Sequence, residues 1–464
     1  MFLMFNLKIF NRLFYFCMER DNAHRYLLKV SMCSGIIIIL VDRQMKYSIY
    51  ILFFLLGLHT INAQVYRTEP LSVRIKSVQV NPVEEWDGLP VISLGENKAI
   101  EIKFDEMSHE YKNLFYSVVH CNADWRRSDL TPIEYTQGFP EMPINDYLFS
   151  FNTTMAYTNY RMVFPNEDTQ FKVSGNYAVE VYDSENKDKP LLTACFSITE
   201  SSPVVINSTV SANTDIDFNK HHQQVNFSIR TGGYRVINPQ QELKVYITQN
   251  NRSDNRVILP QPSIIRNEEY VYQHNRALIF EAGNEYRRFE TVTTAYQGMG
   301  IADVSFHAPY FHLTLYRDLP RRGKSYIYDE DQNGRFLSHC VNCENYDSES
   351  DYFFVHFSLD APEPYLGRVY VLSEAFNYIL DARSEMQYST EEKAYTKTAL
   401  LKQGAYNYMY LLSETKQPKG LTAPIEGNYF ETENEYTIWV YYRGMGDRYD
   451  KLVGRSTSTL NNRN

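Results

Sequence analysis

Four short segments between residues 120 and 168 give the clearest structural signal of this chain. They read His-Cys-Asn-Ala-Asp-Trp (120–125), Phe-Ser-Phe-Asn-Thr-Thr (149–154), Tyr-Thr-Asn-Tyr-Arg (157–161) and Phe-Pro-Asn-Glu-Asp (164–168). Aromatic and β-branched residues cluster in short runs, and Asn, Asp and Pro interrupt them, which is typical of strands joined by tight turns. The block therefore predicts a β-domain, and by itself it indicates no chemistry.

The same kind of pattern extends outward along most of the chain. Between Ile100 and Phe104, apolar and charged residues alternate, as in a half-buried strand. No window of 11 or more residues has a convincing helical period, so we expect an all-β fold of tandem immunoglobulin-like or E-set β-sandwich domains. Further strands are predicted at 113–121, 147–151, 160–164, 177–182, 194–198, 224–231, 242–249, 276–280, 289–294, 311–316, 352–359, 368–372, 395–401, 406–412 and 436–442.

The N-terminal 63 residues are predicted to be a leader outside the fold. Met45 and Lys46 precede an apolar run at 49–56 and a small residue, Ala63, which together have the form of a secretory signal peptide at 45–63. The apolar run is shorter than the roughly 20 residues of a membrane span. Residues 1–44 are either a long additional leader or untranslated sequence upstream of a start at Met45.

Three domains are predicted after the leader. An N-terminal immunoglobulin-like domain covers 64–202, a second β-sandwich covers 203–324, and a third, E-set-like β domain covers 325–464. The boundaries follow the Ser-Ser-Pro at 201–203 and the polar stretch at 318–324.

The charge balance excludes some partners. The full chain has 46 basic and 56 acidic residues; removing the leader leaves 401 residues, of which 39 are basic and 53 acidic, a net charge of −14. No cluster of Lys and Arg is visible, so we expect no nucleic acid partner and no direct membrane insertion or lipid binding by the mature form.

Candidate metal and catalytic motifs are incomplete. His339, Cys340 and Cys343 supply three zinc ligands where a structural site needs four, so a loop with a local disulfide is the favoured interpretation. The Asp-Glu-Asp-Gln-Asn-Gly at 329–334 lacks the Glu of a calcium loop and fits a hairpin turn better. We therefore predict no catalytic residue, no metal, no cofactor and no enzymatic activity. Cys121 and Cys195 are either paired with each other or buried as free thiols.

The sequence of the 120–168 block resembles that of the type IX secretion system plug protein family of Bacteroidota. The Arg-Arg-Phe-Glu segment at 287–290 is similar to another motif of that family. The resemblance covers the whole mature chain. The matching positions are His120, Asn122, Asp124, Trp125, Phe151, Asn152, Tyr160, Phe164, Pro165, Asn166, Glu167, Asp168, Arg287 and Arg288.

The resemblance implies a periplasmic protein, associated with the outer membrane and exported by a cleaved signal peptide. Its partner would be the translocon barrel of the type IX secretion system, whose inner mouth it would close when no cargo passes. Surface aromatics near turns would carry binding, and the candidates are Trp125, Phe139 and Tyr147, each of which has core packing as its alternative role.

A second, fainter resemblance motivates the rival function. The third domain is similar to glycogen-binding E-set modules, with Tyr378 at the position where such modules have a sugar-stacking Trp after Phe376 and Asn377. That similarity supports the fold, and the alternative function is a cell-surface or periplasmic carbohydrate-binding protein.

Overall fold

The computed structural model of the protein describes residues 4–9, 12–20, 26–32, 35–41, 64–201, 203–259, 261–414 and 419–460. The chain divides into two compact units, Met1–Gln64 and Val65–Asn464. In the first unit, four antiparallel strands each pair with the next along the chain: β1 Met4–Ile9, β2 Arg12–Arg20, β3 Tyr26–Met32 and β4 Gly35–Val41. The predicted signal peptide at 45–63 lies outside the described residues.

The second unit begins with a sandwich built around the 120–168 block. Its strands are β5 Glu69–Pro70, β6 Ile75–Pro82, β7 Val91–Ser93, β8 Ile100–Glu106, β9 Leu114–Cys121, β10 Thr136–Gly138, β11 Glu141–Pro143, β12 Asp146–Phe149, β13 Thr158–Phe164, β14 Thr169–Phe171, β15 Gly175–Asp183 and β16 Pro190–Thr199. One sheet has the order β12-β13-β8-β6, the other β11-β9-β15-β16-β5 with β7 beside β16, and β10 pairs with β14. Ile100, Ile102 and Phe104 are fully buried between them, because alternate residues of β8 face the core.

A second sandwich follows, and its strands come from two distant parts of the chain. They are β17 Val205–Ala212, β18 His222–Arg230, β19 Leu243–Gln249, β20 Val257–Leu259, β21 Ile264–Arg266, β22 Glu269–Tyr272, β23 Ile279–Glu281, β33 Glu435–Tyr442 and β34 Lys451–Thr459. One sheet has the order β17-β18-β22-β21, with β23 also paired to β18, and the other has the order β20-β19-β33-β34.

The third sandwich lies in the chain between β23 and β33. Its strands are β24 Arg287–Glu290, β25 Ile301–His307, β26 Tyr310–Leu315, β27 Phe336–Ser338, β28 Tyr352–Asp360, β29 Arg368–Leu372, β30 Gln387–Ser389, β31 Ala394–Lys402 and β32 Gly404–Ser413. In one sheet β32 pairs with β24, β27 and β29, and the other has the order β25-β26-β28-β31-β30.

This pairing differs from the domain boundary predicted at residues 324 and 325. Strand β33 runs antiparallel to β19, from Leu243 opposite Tyr442 to Gln249 opposite Tyr436, so the last strands of the chain complete the second sandwich. Strands β24 to β26, which precede residue 324, belong to the third. Alternation identifies the buried face of a strand but not its partner, and the prediction assumed that neighbours in sequence are neighbours in space.

The all-β class is confirmed, and helix is short. The α-helices in the described part of the chain are α1 Pro132–Tyr135, α2 Pro239–Glu242 and α3 Tyr346–Glu349, and none is long and apolar enough to span a membrane. Two 3₁₀ turns cover Arg276–Leu278 and Glu374–Phe376. The first of these lies where the sequence predicts a strand; its N-cap Asn275 accepts a hydrogen bond from the Ala277 N–H, which favours a turn.

The cysteines divide into one pair and two free thiols. Cys340 and Cys343 form a disulfide. Cys121 in β9 and Cys195 in β16 are buried and free, because β15 lies between their strands. Two strand spacings put them about 10 Å apart, beyond the reach of a disulfide. Burial raises the pKa of the Cys121 thiol to about 12, and so this thiol is protonated at neutral pH.

Candidate functional site

His120 is buried within the first sandwich and is held as a neutral imidazole. Its Nε2 lies 3.1 Å from the Ser174 carbonyl, which can only accept, so Nε2 carries the proton. Its Nδ1 lies 2.8 Å from the Ser128 hydroxyl, which therefore donates to it. Burial lowers the pKa of His120 to about 4, against the opposing effects of Ser174 and Asp450. A neutral, fully bonded imidazole packed on Tyr449 is a structural element rather than an acid or base.

The turn after β9 joins the first sandwich to the C-terminal hairpin of the second. The Asn122 side-chain oxygen accepts from Arg443 Nη2 at 2.6 Å and from the Asp450 N–H at 3.2 Å. In return, the Ala123 N–H donates to Asp450 Oδ2 at 3.0 Å. Asp124 accepts from the Arg126 N–H and closes the turn locally. Two signature residues therefore serve an internal interface and a turn.

Of the eight signature positions from 151 to 168, four are structural and four are exposed. Tyr160 and Phe164 lie in the core, and Pro165 follows a cis peptide bond. The Asn166 side chain accepts from the N–H groups of Asp168 and Thr169, which forms the turn after β13. The remaining positions are exposed: Phe151, Asn152, Glu167 and Asp168.

Arg287 and Arg288 in β24 both form ion pairs. Arg287 lies 2.7 Å from Asp318 and 3.0 Å from Glu426, which also pairs with Arg321 at 2.7 Å. Burial alone would raise the pKa of Glu426, but the two guanidinium groups lower it to about 2. Arg288 pairs with Asp329. These arginines therefore stabilise the third sandwich.

A buried polar junction joins the first sandwich to the third. Lys402 of β31 pairs with Asp105 of β8 at 2.7 Å, and Asp105 also accepts from Tyr352 and Asn159. The ammonium group of Lys402 lies 4.4 Å from the centre of the Tyr157 ring. Every polar group in this set has a partner, which suits burial without water.

A second set of contacts extends the same junction. Asp351 accepts from the Thr154 N–H at 2.8 Å and from the Met155 N–H at 3.1 Å. The Tyr157 hydroxyl donates to the Ser350 carbonyl at 2.8 Å. Together with the Asn122 contacts, these bonds make the three sandwiches of Val65–Asn464 one tightly joined body.

The outer edge of the first sandwich carries a group of rings, of which Tyr147 is only partly exposed and packs against the core. Strand β12 pairs with no strand other than β13 among the described residues, while just beyond it the Phe151 N–H donates to the Ser348 carbonyl at 2.9 Å. Tyr147 in β12 lies 4.9 Å from Tyr111 and 5.4 Å from Phe149, measured between ring centres. His109 lies 5.0 Å from Phe149. We call Tyr111, Tyr147, Phe149 and His109 the aromatic edge.

The aromatic edge is positioned by a core residue. The Lys112 N–H donates to the Tyr160 hydroxyl at 2.8 Å, which holds the turn containing Tyr111 against β13. Tyr111 is 45% exposed and Phe149 is 42% exposed. Large exposed aromatics that contact one another are more informative than single exposed apolar residues, because contiguous apolar patches mark interaction sites.

The three residues predicted to bind a partner lie apart. Tyr147 belongs to the aromatic edge, while Trp125 follows β9 in the opposite sheet and lines a cleft with Trp439. Phe139, between β10 and β11, is 70% exposed. Within the described residues, Trp125, Phe139 and Tyr147 do not contact one another. The sequence prediction did not include Tyr111 and Phe149, although Tyr111 stands in a polar turn where an aromatic residue is unusual.

Possible metal ligands do not converge. His339 packs against Tyr346, and its neighbours Cys340 and Cys343 are bonded to each other. No group of three or more His, Cys, Asp or Glu side chains suited to a metal was found in the described residues.

These features define a rigid, multi-sandwich β protein with exposed aromatic side chains. Residues 75–200 match the family model of the type 9 secretion system plug protein, first domain. A crystal structure of a hypothetical protein from Parabacteroides merdae is similar over 85% of this chain and 100% of its own, with 47% identity and a TM-score of 0.84. No curated protein matches.

The chain belongs to the type IX secretion plug family. It therefore has a role in type IX secretion and associates with a component of that system, and the family indicates a location in the periplasm or at the outer membrane. The family and the all-β fold are typical of structural or secretion proteins.

Proposed function

We propose that this protein closes the periplasmic mouth of the type IX translocon barrel when no cargo is passing. The family match over residues 75–200 carries the proposal. A barrel wide enough for folded cargo leaves an aqueous passage unless something fills it. A stopper needs a body that does not deform, and the buried contacts among the three sandwiches supply one.

The aromatic edge is the surface that contacts the barrel in this proposal. Tyr and Phe provide large contact area at low cost in side-chain entropy, and exposed ones commonly anchor protein interfaces. Strand β12 also has no strand on its outer side among the described residues, so part of its backbone could pair with an added strand beside the rings. The formal charge of −10 for the whole chain helps a released plug to remain soluble.

A permeability assay in the native host tests the function. Deleting the gene should admit large antibiotics across the outer membrane, and deleting the barrel gene as well should restore resistance. Unchanged permeability in the single deletion would remove support for the plug function. The mature N-terminus, proposed at Gln64, is read from the same cells by mass spectrometry of the tagged protein.

Point variants test the surface. Replacing Tyr147 and Phe149 with Ser should reduce the barrel recovered with the tagged protein by about tenfold or more, since truncating a hot-spot aromatic costs about 2 kcal/mol and about 1.4 kcal/mol is tenfold in affinity. Tyr296→Ser is the matched control, because Tyr296 is an exposed aromatic of the third sandwich. Equal recovery with both variants would exclude the aromatic edge.

The carbohydrate-binding alternative loses its structural motivation. Tyr378 is only 6% exposed and packs in a core cluster with Tyr286 and Leu380. A buried ring cannot stack on a sugar, and so no observation on the third sandwich favours this function.

A further inference from the structure

Trp125 occupies a backbone position that normally requires glycine. The Trp125 N–H donates to the Asn122 carbonyl at 2.9 Å and the Asn122 N–H donates to the Arg126 carbonyl at 2.8 Å, which makes a three-residue hairpin loop. The last residue of such a loop is left-handed, and Trp125 has φ +63°. A bulky side chain is unfavourable in this region. The indole packs in part against the buried cluster that includes Tyr66 and Cys195, and its remaining surface lines a cleft.

The indole of Trp125 forms one wall of a cleft between the first and second sandwiches. Trp439 of β33 and Arg256 also line the cleft, together with Tyr246 of β19, which is only 6% exposed. The Trp439 indole N–H donates to Thr248 at 3.4 Å, and the Arg256 guanidinium lies 5.0 Å from the centre of the Tyr246 ring. The cleft has a volume of about 130 Å³.

The lining of the cleft supplies positive charge, while the carboxylates of Asp124 and Asp450 act on Tyr246 from nearby. Its lining includes two arginines and no carboxylate. Arg252 is committed to Asp254 at 2.7 Å and to the Gly420 carbonyl. Arg256, by contrast, forms no ion pair with any residue in the described part of the chain. An unpaired guanidinium on an aromatic face, in an acidic protein, is suited to bind a carboxylate.

The volume of the cleft limits what enters it. An apolar cavity of about 150 Å³ accommodates a benzene molecule, so this cleft takes one ring-sized group. A side chain of that size, with an acidic group next to it, satisfies both the aromatic walls and Arg256.

We propose that the cleft between Trp125 and Trp439 binds an extended peptide segment of a partner protein, which inserts one aromatic side chain between the indoles and places the carboxylate of an adjacent Asp or Glu on Arg256. The site lies on the opposite sheet of the first sandwich from the aromatic edge. It goes beyond the plug function and does not depend on it.

Fluorotryptophan labelling of the purified full chain tests the proposal. The chain has three tryptophans, Trp86, Trp125 and Trp439, so fluorine NMR gives three resonances that single Trp→Phe variants assign. The probe is an acetylated, amidated tetrapeptide with the sequence Ser-Phe-Asp-Ser. It should shift the resonances of Trp125 and Trp439 saturably, and leave that of Trp86 in place.

Two controls define the chemistry. The Ser-Phe-Asn-Ser peptide should bind at least about tenfold more weakly than the Asp peptide. Arg256→Gln should remove this preference for Asp. Trp125→Gly keeps the backbone compatible with the turn and should abolish the shift at Trp439. Because the indole also packs against the cluster of Tyr66 and Cys195, a lower melting temperature is expected, and an unchanged Trp86 resonance reports the intact fold.

Three results would overturn the proposal: no saturable shift with the Asp peptide, equal affinity for the Asp and Asn peptides, or unchanged binding by Trp125→Gly. A saturable shift with glucuronic acid and none with the peptides would assign the cleft to acidic sugars instead.

Discussion

Lys402 and Asp105 form an ion pair across the junction of the first and third sandwiches, with Nζ and Oδ2 2.7 Å apart and side chains 2% and 0% exposed. Neither group reaches water, and both complete their hydrogen bonds with neighbours, Asp105 with Tyr352 and Asn159, and Lys402 with the Asp347 carbonyl. The pair specifies how two sandwiches fit together, since any other register would bury an unpaired charge.

Lys402→Met should reduce the free energy of unfolding by about 3–5 kcal/mol, because it leaves the Asp105 carboxylate buried and unpaired. Urea denaturation at neutral pH measures the change. Lys397→Met is the matched control on the same strand. Among the described residues, Lys397 donates a hydrogen bond to the Ala382 carbonyl alone, so this substitution should cost less than about 1 kcal/mol. Similar decreases in the free energy of unfolding for the two variants would show that the Lys402–Asp105 ion pair does not contribute more to stability than an ordinary lysine contact.

His120 should make the stability depend on pH in a defined direction. Its pKa is about 4 in the folded protein and 6.5 when unfolded, so the unfolded state binds more protons between these values. Stability is therefore lost as the pH falls from 6.5 towards 4, by up to about 3 kcal/mol. His120→Asn should flatten this part of the curve, and His274→Asn, at an exposed position, should not.

Other buried groups change the stability with pH in the opposite direction, so the His120→Asn variant must be compared with the wild type. Burial raises the pKa of Asp331 and of Glu374 to about 7, so their contributions weaken as the pH rises towards 7. Unfolding in urea at several pH values, with the wild-type curve subtracted, isolates His120. A His120→Asn curve parallel to wild type would contradict the assignment.

Glu426 should contribute stability that disappears in acid. Its folded pKa is about 2 and its ordinary value is 4.5, so its contribution is complete above 4.5 and is lost as the pH falls through 2. Glu426→Gln should cost about 3 kcal/mol at neutral pH, since Arg287 and Arg321 lose their shared partner. Glu391→Gln, at an exposed position, is the control; thermal unfolding of both at neutral pH decides.

Gly175→Ala should be strongly destabilising, because it combines an unfavourable backbone conformation with a steric clash, and Gly233→Ala is the control that has only the first. Gly175 has φ +134°, and an added Cβ would lie 2.5 Å from His120 Nε2. Gly233 has φ +121° and no atom within 4 Å of such a Cβ. Gly233→Ala should therefore cost about 1–2 kcal/mol from the backbone alone, and Gly175→Ala clearly more. Equal melting temperatures would mean that His120 moves without cost.

The strands could be predicted because their signal is local. Ile100 and Ile102 alternate with charged residues and are buried, as the pattern indicates. The partner of β33 could not be predicted. Apolar and polar residues alternate in many strands of this chain, and nothing in residues 435–442 indicates pairing with β19. The 3₁₀ turn at Arg276–Leu278 depends on one capping side chain, Asn275, which a period-based reading overlooks.

The candidate sites show the same limit. The turn at Asn122–Trp125 is visible in the sequence, and its aromatic last residue is unusual. Trp439 and Tyr246, which also line the cleft, come from strands far along the chain. Only the three-dimensional arrangement shows that a tryptophan with left-handed backbone shares a cleft with a second tryptophan.

The insertion of the third sandwich into the second has a consequence for how the protein is made. A chain that emerges N-terminus first leaves one backbone edge of β19 unpaired long before β33 exists to pair with it. The turn at Asn122 likewise waits for Arg443 and Asp450. Folding of the first two sandwiches is therefore completed only by the last thirty or so residues synthesised, and a nascent or truncated chain presents unpaired strand edges that invite aggregation and the attention of chaperones and proteases.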